Sequence, residues 1–311
     1  MPSAEHQAIV ELLRSLQAES TAEPEAFDAS RERLDGFGDL FPVPAGVDIE
    51  TLAIGGVRCE RYDPPAAEEG ALIIYLHGGA YVAGSLHSHR AFVARLALAA
   101  GIAVIAVEYR LAPENPHPAA LEDATAVYLA SLADGHDPAR IVIAGDSAGG
   151  GLATATMLAL PAAQQPLPAG AVLIAPWLDL TLSGESITTV ADADPMLSAE
   201  RLAASATAYA AERLSHPLVS PVFAGAEQLG KLPPLLILAG TADILVDDSR
   251  AFTTRVRDAG GHVDLDVEDD MIHVWPFLDG VPEAATAMER IVKWVHQRVA
   301  TNPPSTPGQP R

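Results

Sequence analysis

The chain has 311 residues, 49% of them hydrophobic, with 41 acidic side chains against 19 basic ones and a formal net charge of −22. That length suits one large α/β domain or two small ones, with room for a substantial buried core. The charge disfavours nucleic acid and anionic membrane surfaces as partners, and the lone cysteine, Cys59, excludes an internal disulfide and any cluster of thiolate ligands, which suits an intracellular setting.

The opening stretch, MPSAEHQAIVELLRSLQAES, lacks a basic n-region and a continuous apolar run, so no signal peptide is read and a cytoplasmic location is expected. No stretch reaches the length of a membrane span. Ile9, Leu12, Leu13 and Leu16 recur at helical spacing with Glu11, Arg14 and Gln17 between them, which predicts an amphipathic helix. Phe27, Leu34, Phe37, Leu40 and Phe41 extend the apolar supply. Residues 1–45 are therefore expected to form helices that either cover the mouth of a site or pack on the body of the domain.

After the turn-rich YDPPAAEEG comes ALIIYLHGG, an apolar run of strand length, and then GIAVIAVEYR, RIVIAGDS, GAVLIAPW, PPLLILAGT and HVDLDVED, short β-branched or leucine-rich runs. Helix-like segments such as 119–133 and 247–259 separate most of them. Continuous apolar strands alternating with helices predict an α/β fold with a mostly parallel central sheet buried on both faces. Ligands of such sheets bind beyond the carboxyl ends of the strands. Residues 46–299 read as this domain, and the segment at about 178–232, too long for a simple connection, reads as an inserted cap with a helix starting near Ser198. The end of the chain, 300–311, is rich in proline and polar residues and is expected to be disordered.

The strand run RIVIA leads into Gly145-Asp146-Ser147-Ala148-Gly149, a G-x-S-x-G, and GLATATMLAL follows with helix-forming character. In that context a sharp strand-to-helix turn presents the Ser147 hydroxyl, and side chains at 145 and 149 would clash. No G-K-[ST] follows the glycines, which argues against a phosphate loop. A serine nucleophile needs a base and a group that orients the base. Asp243 and His273 both follow strand ends, 30 residues apart, in the order serine, acid, histidine. Asp247 and Asp248 suit a helix start, and Asp269 and Asp270 a turn. The oxyanion requires N–H donors in place before reaction. Ala148 supplies one at the helix start, and Gly78 and Gly79 of HGGAY are expected to supply the others. His77 reads as an anchor of that loop. His87 and His89 lack an obvious third ligand, so no metal is expected, and both are read as capping or flanking the following helix.

With these motifs in place, the chain resembles the bacterial hormone-sensitive-lipase-like esterases, an α/β-hydrolase family. The resemblance spans roughly residues 57–299 and includes YRLAPENPHPAALEDA, PWLDL, HPLVSP, LPPLLILAGTADILVDDS and MIHVW. It implies a helical cap and hydrolysis of short- to medium-chain carboxylic esters through an acyl-enzyme on Ser147, without metal or organic cofactor. The same site chemistry admits a lactone or N-acetyl hydrolase, and the fold admits a non-catalytic ligand-binding receptor. The implied partner is a small-molecule ester, with no nucleic acid, no stable membrane insertion, and a homodimer left open. Where the family loop reads H-G-G-G, this chain has Ala80, whose Cβ opposes positive φ. Tyr81, Asp146 and Trp275 are placed at the substrate pocket, with ordinary packing as the alternative for the two aromatics. Arg110 and Glu114 are read as structural partners of the loop beneath the oxyanion strand.

Overall fold

The computed structural model describes residues 1–19 and 27–300. Two helices, α1 (Ala4–Glu19) and α2 (Phe27–Gly38), precede a hairpin of β1 (Asp48–Ile54) and β2 (Val57–Asp63). Then come β3 (Leu72–Leu76), α3 (Leu86–Ala100), β4 (Ala103–Val107), α4 (Ala119–Ala133), β5 (Ile141–Asp146), α5 (Ala148–Ala159) and β6 (Gly170–Ile174). Three helices, α6 (Ser186–Thr189), α7 (Ala199–Ala210) and α8 (Ala226–Leu229), lie between β6 and β7 (Leu235–Gly240). The chain closes with α9 (Val246–Asp258), β8 (Val263–Glu268) and α10 (Pro282–Ala300). The expected disordered end lies outside the described residues beyond Ala300, with which α10 finishes.

The eight strands form one sheet in the order β1-β2-β4-β3-β5-β6-β7-β8. All pairs from β4 to β8 are parallel, and the β1–β2 and β2–β4 pairs are antiparallel. All six of these runs are strands of the parallel part. The hairpin was not legible, because β1 reads DIETLAI and leaves most of its side chains in solvent.

Alternation along each strand divides the core in two. Leu72, Ile74 and Leu76 of β3 join Val127 of α4, Leu152 of α5 and Phe252 of α9 on one face. Ile73 and Tyr75 join Phe92 of α3 and Ile291 and Trp294 of α10 on the other. Both faces of the sheet are therefore covered by helices, which is why these strands read as unbroken apolar runs. Ile9, Val10 and Leu13 of α1 pack against the α10 side, whereas Leu12 stays exposed.

The parallel register sets the carboxyl ends side by side. Leu76 of β3 pairs with Gly145, Asp146 with Ile174, and Gly240 of β7 with Glu268 of β8. The loops after β3, β5, β7 and β8 thus emerge at one edge.

Candidate active site

Ser147 occupies the single residue between β5 and α5, with φ 51° and ψ −122°. A non-glycine residue there costs on the order of 1–3 kcal/mol and persists only where its surroundings hold it. Here they do. Its N–H donates to Ile174 O at 2.8 Å, and its carbonyl accepts from Gly150 N, Gly151 N and Trp177 N at 3.0, 3.2 and 2.9 Å. The flanking glycines answer to close approach. A Cβ on Gly149 would meet Leu76 O at 2.0 Å, and one on Gly145 would meet the Gly149 carbonyl carbon at 2.5 Å.

Asp243 and His273 meet. His273 Nδ1–H donates to Asp243 Oδ2 at 2.8 Å, both side chains being buried, and Asp243 Oδ1 accepts from Leu245 N at 2.8 Å. This bond fixes the tautomer and leaves Nε2 as the basic nitrogen. Burial alone would push the imidazole below its usual value, but the Asp243 charge and hydrogen bond, with Asp194 and Asp146 behind them, hold it above 6.5. Ser147 Oγ makes no hydrogen bond to His273, a looseness common in catalytic pairs without substrate.

The other acids have different tasks. Asp248 accepts from Leu178 N and Asp179 N at 2.9 Å each, and Asp247 from Ser186 N at 2.9 Å. Both lie in the first turn of α9, as expected of a helix start, but their carboxylates tie down the segment after β6 and do not cap the helix. Asp270 lies in a turn with φ 62°. Asp194, which the sequence did not single out, accepts from Met196 N and Leu197 N on one oxygen and from Ile244 N on the other, at 2.8, 2.9 and 3.0 Å. It therefore clamps the backbone next to Asp243 from the inserted segment. Burial, reinforced by the Asp243 charge, raises its carboxyl above the usual range.

The loop after β3 departs from expectation at Gly78. Its N–H points at Asp146 Oδ1 (3.0 Å), with His89 Nε2 at 3.3 Å, so it is already engaged and is not a free oxyanion donor. Glycine is needed there for space, since a Cβ would lie 2.2 Å from Asp146 Oδ2 and 3.1 Å from Ser147 Cβ. The N–H groups of Gly79, Ala80 and Ala148 carry no hydrogen bond among the described residues. Ala80 takes φ 53° despite its Cβ, and Tyr81 follows at φ 64°.

Asp146, placed at the pocket from sequence, is a buried brace. Its Oδ1 also accepts from Tyr75 Oη at 2.6 Å, and His89 Nε2 lies 3.4 Å from Oδ2. Burial would raise this carboxyl, yet the charge and hydrogen bond of His89, with Tyr75, bring it below its usual value. His89 lies within α3, whose N-cap is Ser85, and so does not merely flank it. His87, also in α3, meets Asp39 at 2.8 Å. His77 anchors the loop by donating Nδ1–H to Gly78 O at 2.7 Å, and burial lowers its pKa to about 3, so it stays neutral.

Tyr81 stacks on Tyr209 of α7, ring centroids 3.8 Å apart. Trp275 is fully buried in the core on the α3/α10 side. Arg110 pairs with Asp123 (2.8 Å) and Glu114 with Arg31 of α2 (2.7 Å), so the two are not partners of each other. No group of His, Cys, Asp and Glu among the described residues has the arrangement of a metal site. No helix among them is long and apolar enough to cross a membrane.

A family model described as the alpha/beta hydrolase fold matches residues 73–277. The chain is 42% identical over 266 residues to an acetyl-hydrolase of Streptomyces hygroscopicus, covering 85% of each chain. It is 37% identical over 270 residues to an esterase of Acinetobacter venetianus, covering 86% of this chain and 88% of that one. Among solved structures, an esterase from the bacterial hormone-sensitive lipase family superposes with a TM-score of 0.91 at 39% identity, covering 96% of this chain and 99% of the other. EstE5, in a crystal soaked with p-nitrophenyl butyrate, superposes with a TM-score of 0.90 at 35% identity over the same shares. Agreement in both sequence and backbone over most of its length shows that the chain belongs to the bacterial hormone-sensitive-lipase-like esterases, a family of the α/β-hydrolase fold.

Proposed function

We propose that this chain is a serine carboxylesterase acting on short- to medium-chain esters through an acyl-enzyme on Ser147. The observation that carries the reading is the buried Asp243–His273 pair, held at 2.8 Å on the same sheet edge as a serine with φ 51°. In this scheme His273 Nε2 takes the Ser147 proton as Oγ attacks the acyl carbon, and the Asp243 carboxylate stabilises the imidazolium that forms. The oxyanion is received by the N–H groups of Gly79, Ala80 and Ala148, the last at the amino end of α5 where the helix dipole assists. His273 then protonates the departing alcohol, and a water activated by the same imidazole releases the acid.

The names of the relatives support ester hydrolysis, and acetyl-hydrolase supports a short acyl group at the lower end of the range. The N-terminal helices and the segment between β6 and β7 act as the cap that shapes the acyl pocket. Stacking of Tyr81 on Tyr209 supports this, since it joins the oxyanion loop to α7.

Steady-state hydrolysis of p-nitrophenyl esters from acetate to laurate tests the reading, with Ser147→Ala beside the wild type. Turnover greatest on short chains and absent in the variant is expected. Turnover that survives in the variant overturns it.

A further inference from the structure

Arg31 and Asp35 of α2, and Asp39 just past its end, follow one another at four-residue spacing, with Asp39 N–H still donating to Asp35 O at 3.1 Å. Each reaches the stretch that follows HGGAY. Arg31 Nε donates to Val82 O at 2.8 Å, Asp35 Oδ1 accepts from Ser85 Oγ at 2.5 Å, and Asp39 Oδ1 lies 2.8 Å from His87 Nε2. Arg31 also joins a second loop: Nη2 donates to Ala112 O at 3.0 Å, and the guanidinium meets both oxygens of Glu114 at 3.0 and 2.7 Å. Ala112 N in turn donates to Tyr81 O at 2.9 Å.

Asp35 and Asp39 meet the N-cap and first turn of α3, whereas of the three Arg31 alone holds the turn at 79–82, and that turn is strained. Ala80 and Tyr81 are consecutive non-glycine residues at positive φ, a conformation that Cβ-bearing residues disfavour, so their geometry depends on outside restraint. Inside the turn, Gly79 O accepts from Val82 N and Ala83 N at 3.1 and 2.8 Å. Arg31 grips the next link, the Val82 carbonyl. Donors of an oxyanion hole lose much of their value when they shift by about half an ångström.

We propose that Arg31 is a positioning residue of the oxyanion hole, through which α2 sets the direction of the Gly79 and Ala80 N–H groups. The inference rests on the acyl-transfer reading above. It needs the side chain rather than its charge alone, because Glu114 is exposed in the pair and surface ion pairs contribute little.

The test compares wild type, Arg31→Ala, Arg31→Lys and, as a control, Asp39→Ala. Lysine keeps a charge near Glu114 but cannot hold the Val82 and Ala112 carbonyls with a planar fork. The readouts are kcat and KM on p-nitrophenyl acetate, melting temperature, and Ki for an alkyl trifluoromethyl ketone. Ser147 Oγ adds to the ketone carbon, its proton passes to His273, and the ketone oxygen becomes the oxyanion.

Both Arg31 variants are expected to lose about 10- to 100-fold in kcat with KM within about 3-fold, and the ketone Ki is expected to rise by the same factor as kcat falls. Asp39→Ala stays at wild-type rate. Where the alanine variant fails to fold, the lysine variant decides alone. An unchanged kcat and ketone Ki in folded Arg31 variants overturns the proposal and leaves the esterase reading intact. A wild type without Ser147-dependent turnover overturns both.

Discussion

His273 Nδ1 and Asp243 Oδ2 lie 2.8 Å apart, buried together, although 30 residues and the whole of α9 separate them in the chain. The bond selects one imidazole tautomer, so an uncharged replacement that offers an N–H in place of the carboxylate should select the wrong one. Asp243→Asn is expected to lower kcat on the order of 10⁴-fold while the protein still melts cooperatively. A loss below about 10-fold in the same assay would transfer the orienting role to another acid, Asp194 being the nearest in function.

The pH profile follows from the same pair. Since Asp243 and its neighbours hold the His273 pKa above 6.5, kcat/KM should rise with pH through an apparent pKa above that value, because only the neutral imidazole accepts the proton. Asp194 is one of the charges that raise it, so in Asp194→Asn the acid limb should move to lower pH. Rates on p-nitrophenyl acetate between pH 5 and 9 settle the matter, and an acid limb that stays in place would remove Asp194 from the electrostatics of the site. For stability the sign is opposite to that of activity. A histidine with a raised folded pKa stabilises fully below its unfolded value of about 6.5, and that contribution is lost as pH rises through the folded pKa.

Ala80 at φ 53° makes an unusual prediction for a glycine substitution. Ala80→Gly relieves about 1–2 kcal/mol of left-handed strain and gives back about 0.4–1 kcal/mol through the freer unfolded chain. A net gain of between about 0 and 1.5 kcal/mol is expected, seen as a melting temperature higher by up to roughly 3 °C. A fall in melting temperature would mean that the alanine methyl has packing value that outweighs its backbone strain.

Gly149 and Gly101 should respond very differently to alanine. At Gly149 the new Cβ would lie 2.0 Å from Leu76 O and 2.5 Å from His77 O, both backbone atoms, so β3 and α5 would be forced apart. At Gly101, φ 61°, a Cβ meets nothing within 4 Å. Urea unfolding should show Gly101→Ala costing about 1 kcal/mol and Gly149→Ala about 3 kcal/mol or more, with activity lost only in the latter. Equal costs would contradict the close approach of strand and helix.

Short-range pattern carried much of this fold. Strands β3 to β7 were legible because each is buried on both faces and so reads as a near-continuous apolar run, β8 was legible by the alternation of Val and Leu with acidic residues on a half-exposed edge, and α4 matched the helix expected over 119–133 residue for residue. The elbow at Ser147 was legible from its motif, and the crowding that demands glycine there is partly local, since a Cβ on Gly145 would meet Gly149, and partly distant, since one on Gly149 would meet Leu76 and His77 of β3 and its loop. Strand β1 was missed because its edge position leaves most of its side chains in solvent, and β2 because its buried positions include the charged Glu60 and its apolar residues are broken up by Arg58, Glu60 and Arg61.

The detail of the site depended on contacts between distant parts of the chain. The Gly78 N–H is spent on Asp146, 68 residues away, which moves the free donors on to Gly79 and Ala80. Asp194 reaches the backbone beside Asp243 across 50 residues, and Arg31 reaches Val82 across 51. No local pattern marks these residues, because a hydrogen bond depends on where two atoms meet, and that meeting is set by how the sheet, the segment after β6 and α2 pack together. Residue types and their order along the chain were enough to name a nucleophile, a base and an acid. The direction of each N–H and carboxylate around them came from packing.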